Sequence, residues 1–238
     1  MNYERNEKRM IKQLRRLLPA FMAAIVLMGG LAVQTARAED PTTWDLLDNS
    51  FTANGGNYGN SGTNATISKE TDYLSIVNTN NSASYTYAIF NAANNGSNFI
   101  LPSNNWTVEI KAKASRYSGN SIGVRTSANK TYHIFLDASA GSVMQYSKTE
   151  SKSIDVTQWH TYRFTVGATN NKFSLYVDGD FAFEGDDRTD GSGTLIKVGH
   201  ESSSSTISAQ CDIDIEYVKA ATGVFIPEPS GGGGGGGG

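Results

Sequence analysis

The chain has 238 residues, of which 38% are hydrophobic and 18% are charged, and its formal net charge is −3 at pH 7. This size and apolar content suit one folded domain around one hydrophobic core. The acidic balance argues against a nucleic acid or an anionic lipid surface as a partner held by non-specific electrostatics, because like charges repel.

The N-terminal segment has the pattern of an export signal. Basic residues between positions 5 and 16 precede an apolar run over 21–33, and Ala36 and Ala38 form an A-x-A cleavage site. We therefore predict a signal peptide over residues 1–38. The mature protein would be secreted, periplasmic or attached to the cell surface of a bacterium. A membrane anchor is the competing interpretation, but the apolar run is short for a span and contains two adjacent glycines.

Loss of the predicted signal peptide makes the protein more acidic. The segment holds seven of the 20 basic and two of the 23 acidic residues, so residues 39–238 carry a net charge of −8. We expect neither nucleic-acid binding nor membrane insertion of the mature chain. A neutral glycan is unaffected by this charge.

Residues 39–227 contain many short segments in which apolar and polar residues alternate, as in a β-strand with one buried face. Segments rich in Gly, Asn and Ser separate them and predict surface turns. No comparable amphipathic helical pattern occurs in the sequence. We predict one all-β domain, a two-sheet antiparallel β-sandwich or jelly roll. Outside segment 158–185, the predicted strands are 73–77, 84–90, 106–113, 121–126, 131–137, 143–147, 194–199 and 211–219.

The segment 158–185 shows this alternation most regularly and predicts three strands. Asp178-Gly179 separates the second strand from the third and predicts a two-residue hairpin turn, because glycine tolerates positive φ values. The apolar face of the first strand comprises Tyr162, Phe164 and Val166, and that of the second comprises Phe173, Leu175 and Val177.

The opening Trp159-His160, followed by Leu-Tyr-Val-Asp-Gly at 175–179, resembles the laminin-G-like branch of the concanavalin A-like lectin/glucanase superfamily. The resemblance implies a curved two-sheet jelly roll over residues 39–227, with first and last strands, near Trp44 and at 211–219, close together. The superfamily contains lectins, adhesion modules, glycosidases and polysaccharide lyases. The resemblance therefore implies fold more than activity.

Residues 228–238 end in eight consecutive glycines. Glycine loses more backbone entropy on ordering than any other residue, so such a run does not pack. We predict that the folded unit ends near Pro227 and that a flexible linker or tail follows.

Polar side chains remain on the outward faces of the central strands when their apolar residues are assigned to the core. Guanidinium, imidazole, amide and phenol groups beside an aromatic ring are the groups that recognise sugars. We predict one outward face that binds a glycan, and the alternative is that these side chains are only solvated. The predicted ligand-binding residues are Arg125, His133, Gln145, Arg163 and Tyr176.

A glycosidase is one enzymatic alternative. Asp212, Asp214 and Glu216 resemble the E-x-D-x-E signature of retaining β-glucanases in the superfamily. Two departures count against it: Asp212 takes the place of the nucleophilic glutamate, and the motif lies on the last strand. The competing interpretation is a solvated acidic face, or one that touches a structural calcium ion together with Asp48.

A polysaccharide lyase is the other enzymatic alternative. Arg125 or Gln145 could neutralise a uronate carboxylate, and His133 or Tyr176 could act as the base. The R-x-E, Q-I-H and Y-x-K-x-G motifs of jelly-roll alginate lyases are not matched as units. We assign no catalytic residue.

Neither a cofactor nor a metal ligand is assigned from the sequence. His133, His160 and His200 lack the spacing of a zinc site, and no EF-type loop occurs. The only cysteine, Cys211, excludes an intramolecular disulfide, and its neighbour Ile213 on the same strand face indicates a buried apolar position.

The sequence thus predicts an exported, glycan-binding or adhesive lectin-like module. A polysaccharide-degrading enzyme on the same fold is the first alternative, and a structural or interaction domain without sugar affinity is the second.

Overall fold

The computed structural model describes residues 40–41, 44–46, 58–60, 65–79, 86–90, 101–147, 149–168, 172–189, 194–200 and 210–229. They all belong to one compact unit within residues 38–238. The predicted signal peptide and the glycine run lie outside the described residues, so both remain predictions. In the described part of the chain, no helix is long and apolar enough to cross a membrane.

The described residues form β-strands and contain no helix, which confirms the predicted all-β class. The strands, in chain order, are β1 (Asp45–Leu46), β2 (Tyr58–Asn60), β3 (Ala65–Lys69), β4 (Leu74–Asn78), β5 (Thr86–Phe90), β6 (Trp106–Arg116), β7 (Asn120–Arg125), β8 (Lys130–Asp137), β9 (Ser142–Gln145), β10 (Ser151–Ser153), β11 (His160–Val166), β12 (Lys172–Val177), β13 (Asp180–Asp186), β14 (Arg188–Thr189), β15 (Leu195–His200) and β16 (Cys211–Thr222).

The strands pair into two antiparallel sheets. Sheet A has the order β13-β12-β11-β6-β16-β4-β3, with β1 also paired to β16. Sheet B has the order β10-β9-β8-β7-β15-β5-β2, with β14 also paired to β8. Strands that are distant in sequence therefore become neighbours, as β6 and β16 do.

The core lies between the two sheets and is filled by the apolar side of each strand. Tyr132 of sheet B crosses to sheet A, where its ring centroid lies 5.3 Å from that of Trp106 and 5.9 Å from that of Phe173. Phe164 and Leu175 are register partners on neighbouring strands and are both buried, as predicted. Cys211 is also buried, and burial raises the pKa of its thiol to about 12.

The hairpin of β12 and β13 has the predicted turn. Both central residues have positive φ, 52° at Asp178 and 90° at Gly179. This backbone conformation is found in the two-residue hairpin turns whose twist matches that of the flanking strands. The Asp178 carboxylate accepts the backbone N–H of Thr161 at 2.9 Å and contacts His160 Nδ1 at 2.5 Å. The turn is thereby tied to the neighbouring strand β11.

The first and last strands also pair, as the resemblance implied. Asp45 is opposite Ala220 and Leu46 is opposite Lys219. Asp40 and Trp44, which precede β1, contact Arg163 on the outer face of sheet A.

Candidate functional site

The structure separates the five predicted ligand-binding residues, so the expectation of a single face is wrong. Arg125 and His133 lie on the outer face of sheet B, whereas Arg163 and Tyr176 lie on the outer face of sheet A. Gln145 lies on neither outer face. Alternation assigns a side chain to one side of its own strand, but it does not say which sheet that strand joins.

Gln145 faces the space between the sheets. It is the register partner of Ile134, whose side chain is in the core, and paired residues point to the same side of a sheet. A Cβ at Gly185 of sheet A would lie 3.2 Å from Gln145 Cδ. The amide oxygen accepts a hydrogen bond from Thr149 Oγ1 at 2.9 Å.

Arg163 belongs to a buried ion network on sheet A. Its Nε donates to Glu109 Oε2 at 2.6 Å, and its Nη1 donates to Asp40 Oδ1 at 2.6 Å. Lys219 Nζ lies 2.7 Å from Glu109 Oε1. Burial disfavours the charged guanidinium, but the bonds to the two carboxylates outweigh it and raise the pKa of Arg163. The Trp44 ring also lies against this network, 5.4 Å from Arg163 Cζ and 4.4 Å from Lys219 Nζ.

The three carboxylates of the glucanase-like motif are paired with basic residues of β6. The prediction of a merely solvated acidic face is therefore wrong, because β6 lies beside β16 and presents a cation opposite each carboxylate. Asp212 and Asp214 are also buried. The pairs are Asp212 with Arg116 at 2.6 Å, Asp214 with Lys113 at 3.3 Å and Glu216 with Lys111 at 2.7 Å.

The described residues offer little support for a metal site. Asp48, the predicted partner in a calcium site, lies outside the described residues, and within them no group of three or more His, Cys, Asp or Glu side chains is placed to hold a metal ion. His160 is bound to Asp178, whereas His200 Nδ1 lies 3.2 Å from the carbonyl of Gly119.

The outer face of sheet B differs in composition from the outer face of sheet A. Its residues are described here across the sheet, strand by strand, from β5 to β9. Paired residues form three successive rows on this face. The rows are Tyr87, Gly199, Ser121, Phe135 and Met144; then Ile89, Lys197, Gly123 and His133; then Leu195, Arg125, Thr131 and Arg188.

The middle of this face is low, because Gly123 and Gly199 have no side chain and Ser121 has a small one. The Ser121 hydroxyl turns down to donate to the carbonyl of Gly199 at 2.8 Å. Large side chains stand on both sides of this floor: Tyr87 of β5 and Lys197 of β15 on one side, and His133 and Phe135 of β8 on the other. Three strand spacings separate β5 from β8, about 14 Å. We call this region the sheet B trough.

One wall of the sheet B trough is aromatic. Tyr146 continues the ladder past the end of β9, since its N–H donates to the carbonyl of His133 at 3.0 Å. The Tyr146 ring is stacked on His133, with centroids 5.0 Å apart, and lies 5.6 Å from Phe135. Arg188 Cζ lies 4.4 Å from the centroid of Tyr146.

The other wall combines a ring and an ammonium group. Lys197 Nζ lies 4.7 Å from the ring centroid of Tyr87. At one end, the buried guanidinium of Arg125 donates its Nε to Thr131 Oγ1 at 3.2 Å.

Ser121, His133 and Phe135 are at most 3% exposed, so the groups of this face that a ligand could reach are the half-buried rings of Tyr146 and Tyr87 and the cationic groups beside them. Rings beside N–H donors are the groups that sugar recognition uses.

Sequence reasoning found Arg125 and His133 of this site but missed its walls. Tyr146 was within a predicted strand and could have been chosen by its position two residues after Met144, on the same side of the strand. Tyr87, Lys197 and Arg188 come from strands far apart in sequence. Only the sheet order shows that they border the same floor.

The chain matches no protein-family model and no curated protein sequence. Among solved structures, an apo Crh5 transglycosylase is similar with a TM-score of 0.50 and 10% sequence identity, over 76% of this chain and 83% of that chain. An alginate lyase, AlgAT5 of polysaccharide lyase family 7, has a TM-score of 0.46 and 13% identity, over 67% and 82%. A Bacillus licheniformis beta-glucanase has a TM-score of 0.47 and 11% identity, over 76% and 97%.

These similarities concern the fold. They agree with the two-sheet antiparallel β-sandwich described above. Membership of the concanavalin A-like superfamily and of its laminin-G-like branch remains a prediction from the sequence. At such low identity, the neighbours do not transfer an activity or a residue role to this chain.

Proposed function

We propose that this protein is a non-catalytic glycan-binding module and that it holds the glycan in the sheet B trough. The observation that carries this proposal is the floor of Ser121, Gly123 and Gly199 between an aromatic wall and a wall made of Tyr87 and Lys197. A chain of sugar rings could lie across this face with its apolar faces against the half-buried rings of Tyr146 and Tyr87 and its hydroxyls toward the nitrogen donors.

Binding is favoured over catalysis because the residues considered for each enzymatic alternative do not lie together with free catalytic groups in the structure. Of the lyase set, Gln145 faces the core and Tyr176 is on the opposite sheet from Arg125 and His133. The glucanase-like carboxylates are engaged with cations of β6.

The proposal includes export of the protein by its predicted signal peptide. Cleavage after Ala38 would give a mature chain that begins at Glu39. Mass spectrometry of the protein recovered outside the cytoplasm of a bacterial host tests this part independently of glycan binding, and a mass that retains residues 1–38 would refute it.

The binding site can be tested with a single ring removal. Tyr146→Ala removes the outermost ring of the aromatic wall. The affinity for the best ligand from a glycan array should fall about 5- to 150-fold, the effect of losing a stacked ring worth about 1–3 kcal/mol. Calorimetric titration measures the affinity, and thermal unfolding of the variant shows whether the fold is intact.

Tyr176→Ala is the matched control, because Tyr176 is also a half-buried tyrosine but belongs to sheet A. We expect this variant to bind as the parent does. Loss of affinity in Tyr176→Ala alone would move the site to the outer face of sheet A. Depolymerisation of the bound glycan by the parent protein would replace the binding function with an enzymatic one.

A further inference from the structure

Two aromatic side chains from different turns meet on the outer face of sheet A. Tyr73 directly precedes β4 and Trp159 directly precedes β11. Sheet A places β16 and β6 between those strands, a separation of about 14 Å. The ring centroids are nevertheless 5.9 Å apart, with the ring planes inclined at 66°. The rings therefore lean toward each other across β6 and β16, and we call them the sheet A ring pair.

A lysine holds the sheet A ring pair in place. Lys113 points outward from β6, because the alanines on either side of it are buried in the core. Its Nζ lies 5.0 Å from the ring centroid of Trp159 and 5.8 Å from that of Tyr73. It also pairs with Asp214 Oδ2 at 3.3 Å. A cation held against both rings attracts them and restricts their rotamers, so the rings are positioned before any ligand arrives.

The turns that carry the two rings are also fixed by hydrogen bonds. Asp155 Oδ1 accepts the N–H of Thr157 at 3.1 Å, two residues before Trp159. The N–H of Glu70 donates to the carbonyl of Tyr73 at 2.9 Å and closes the turn between β3 and β4. Aromatic side chains that are already ordered lose little conformational freedom on binding, which favours affinity.

The surroundings of the sheet A ring pair suit a sugar. Both rings are half-buried, so part of each is open to solvent, and the adjoining Asp72 and Gln158 are exposed. A sugar presents apolar C–H groups to an aromatic ring and hydroxyls to carboxylate and amide groups. A protein partner would need far more apolar surface, since a stable protein interface buries roughly 800 Å² per partner.

We infer that the sheet A ring pair is a second sugar-binding site and that the protein bridges two glycan chains. The sheet B trough lies on the opposite outer face of the sandwich, so the two sites open in opposite directions. Two chains, one bound at each site, would be joined through the protein, as by an adhesive module. The inference rests on the proposed function, because it takes its ligand class from the glycan assigned to the trough.

A bridging experiment tests this inference. Laminarin, xylan, galactomannan and alginate are each attached to a surface, the protein is loaded, and the fluorescently labelled form of the same polysaccharide is then added in solution. We expect at least one of the four to capture the protein, and the captured protein to retain the labelled chain. Trp159→Ala should still be captured through the trough. Its retention of the labelled chain should fall about fivefold or more, the effect of losing one stacked ring.

Three further variants connect bridging to the named rings. Tyr73→Ala removes the other ring of the pair and should reduce retention as Trp159→Ala does, and it decides the test if thermal unfolding shows that Trp159→Ala is misfolded. Tyr146→Ala removes a ring of the trough and should also reduce retention, because bridging needs both sites. Phe181→Ala is the matched control. Phe181 is 55% exposed on the same outer face, where its ring contacts Tyr176, and its removal should leave retention unchanged.

The outcomes separate the second site from the proposed function. Retention that survives in both Trp159→Ala and Tyr73→Ala, or that falls equally in Phe181→Ala, would overturn the second site. Capture of the parent protein without retention of the labelled chain would also overturn it and leave the glycan-binding function intact. Loss of retention in the ring-pair variants but not in Tyr146→Ala would support the second site and contradict the trough. Absence of capture by all four polysaccharides would overturn both proposals.

Discussion

At the scale of single residues, the carboxylate of Glu109 is held by several partners at once. Its side chain is 4% exposed and it contacts Arg163, Lys219 and the hydroxyl of Tyr217. A buried charge pair is held at a large desolvation cost, so loss of one partner is far more damaging than replacement of the whole set by apolar residues. The network is therefore structural, and it places Arg163 in a role different from the predicted one.

Glu109→Ala leaves the guanidinium of Arg163 with Asp40 as its remaining carboxylate and removes the counterion of Lys219. We expect the free energy of unfolding to fall by about 3 kcal/mol, as for a broken buried pair. Urea denaturation measures the change. Glu216→Ala is the control on the same sheet, because Glu216 and Lys111 are 37% and 32% exposed and such pairs contribute less than about 1 kcal/mol. Equal losses of unfolding free energy in Glu109→Ala and Glu216→Ala would contradict a structural role for the Glu109 network.

At the scale of elements, the β12–β13 hairpin shows that a turn can be predicted from its own two residues. Asp178-Gly179 was recognisable as a turn because few residues accept positive φ at both central positions. Short polar strands were not recognisable. Ser151–Ser153 has no buried residue, and its strand exists because it pairs with β9, so alternation could not reveal β10.

Gly179→Ala tests the turn. A Cβ at φ 90° is strained, and we expect the free energy of unfolding to drop by about 1–2 kcal/mol. Gly167→Ala supplies the comparison, because a Cβ there meets nothing within 4 Å and the backbone is not in the left-handed region. It should be neutral or slightly stabilising in the same denaturation experiment. If Gly179→Ala were as stable as Gly167→Ala, the turn would accommodate the Cβ without any loss in the free energy of unfolding, contrary to this prediction.

At the scale of the whole molecule, the sandwich excludes water from several phenols. Burial, and to a lesser extent Asp187, raises the pKa of Tyr132 to about 12. Burial also raises the pKa values of Tyr162 and Tyr217. Each of these groups is neutral in the fold at a pH at which an unfolded tyrosine, with a pKa of about 10, ionises.

The consequence is a loss of stability in alkali. Above about pH 10 the unfolded chain releases protons that the folded chain retains, so the free energy of unfolding falls as pH rises. Urea midpoints should be level just below that pH and decline above it. Tyr162→Phe should reduce the slope without loss of stability at neutral pH, because the Tyr162 hydroxyl is buried and has no hydrogen-bond partner within the described structure. Midpoints that stay constant up to about pH 11 would refute this account.

The sequence by itself determined which side of each central strand enters the core. Tyr162, Phe164 and Leu175 are all buried as the alternation predicted, since a two-residue period is a property of the strand alone and needs no knowledge of its neighbours. The same local reasoning predicted the all-β class and the Asp178-Gly179 turn. It also placed Arg125 and His133 on an outward face.

Only the tertiary structure decided which outward residues meet. Arg163 joins Asp40, far away in the chain, and Tyr146 faces Tyr87 across four intervening strand spacings, because sheet order and register come from contacts between distant segments. Those contacts depend on the packing of the whole core and have no counterpart in any short stretch of sequence. For this reason the predicted face divided between two sheets, and the walls of the sheet B trough emerged only when the strands were paired.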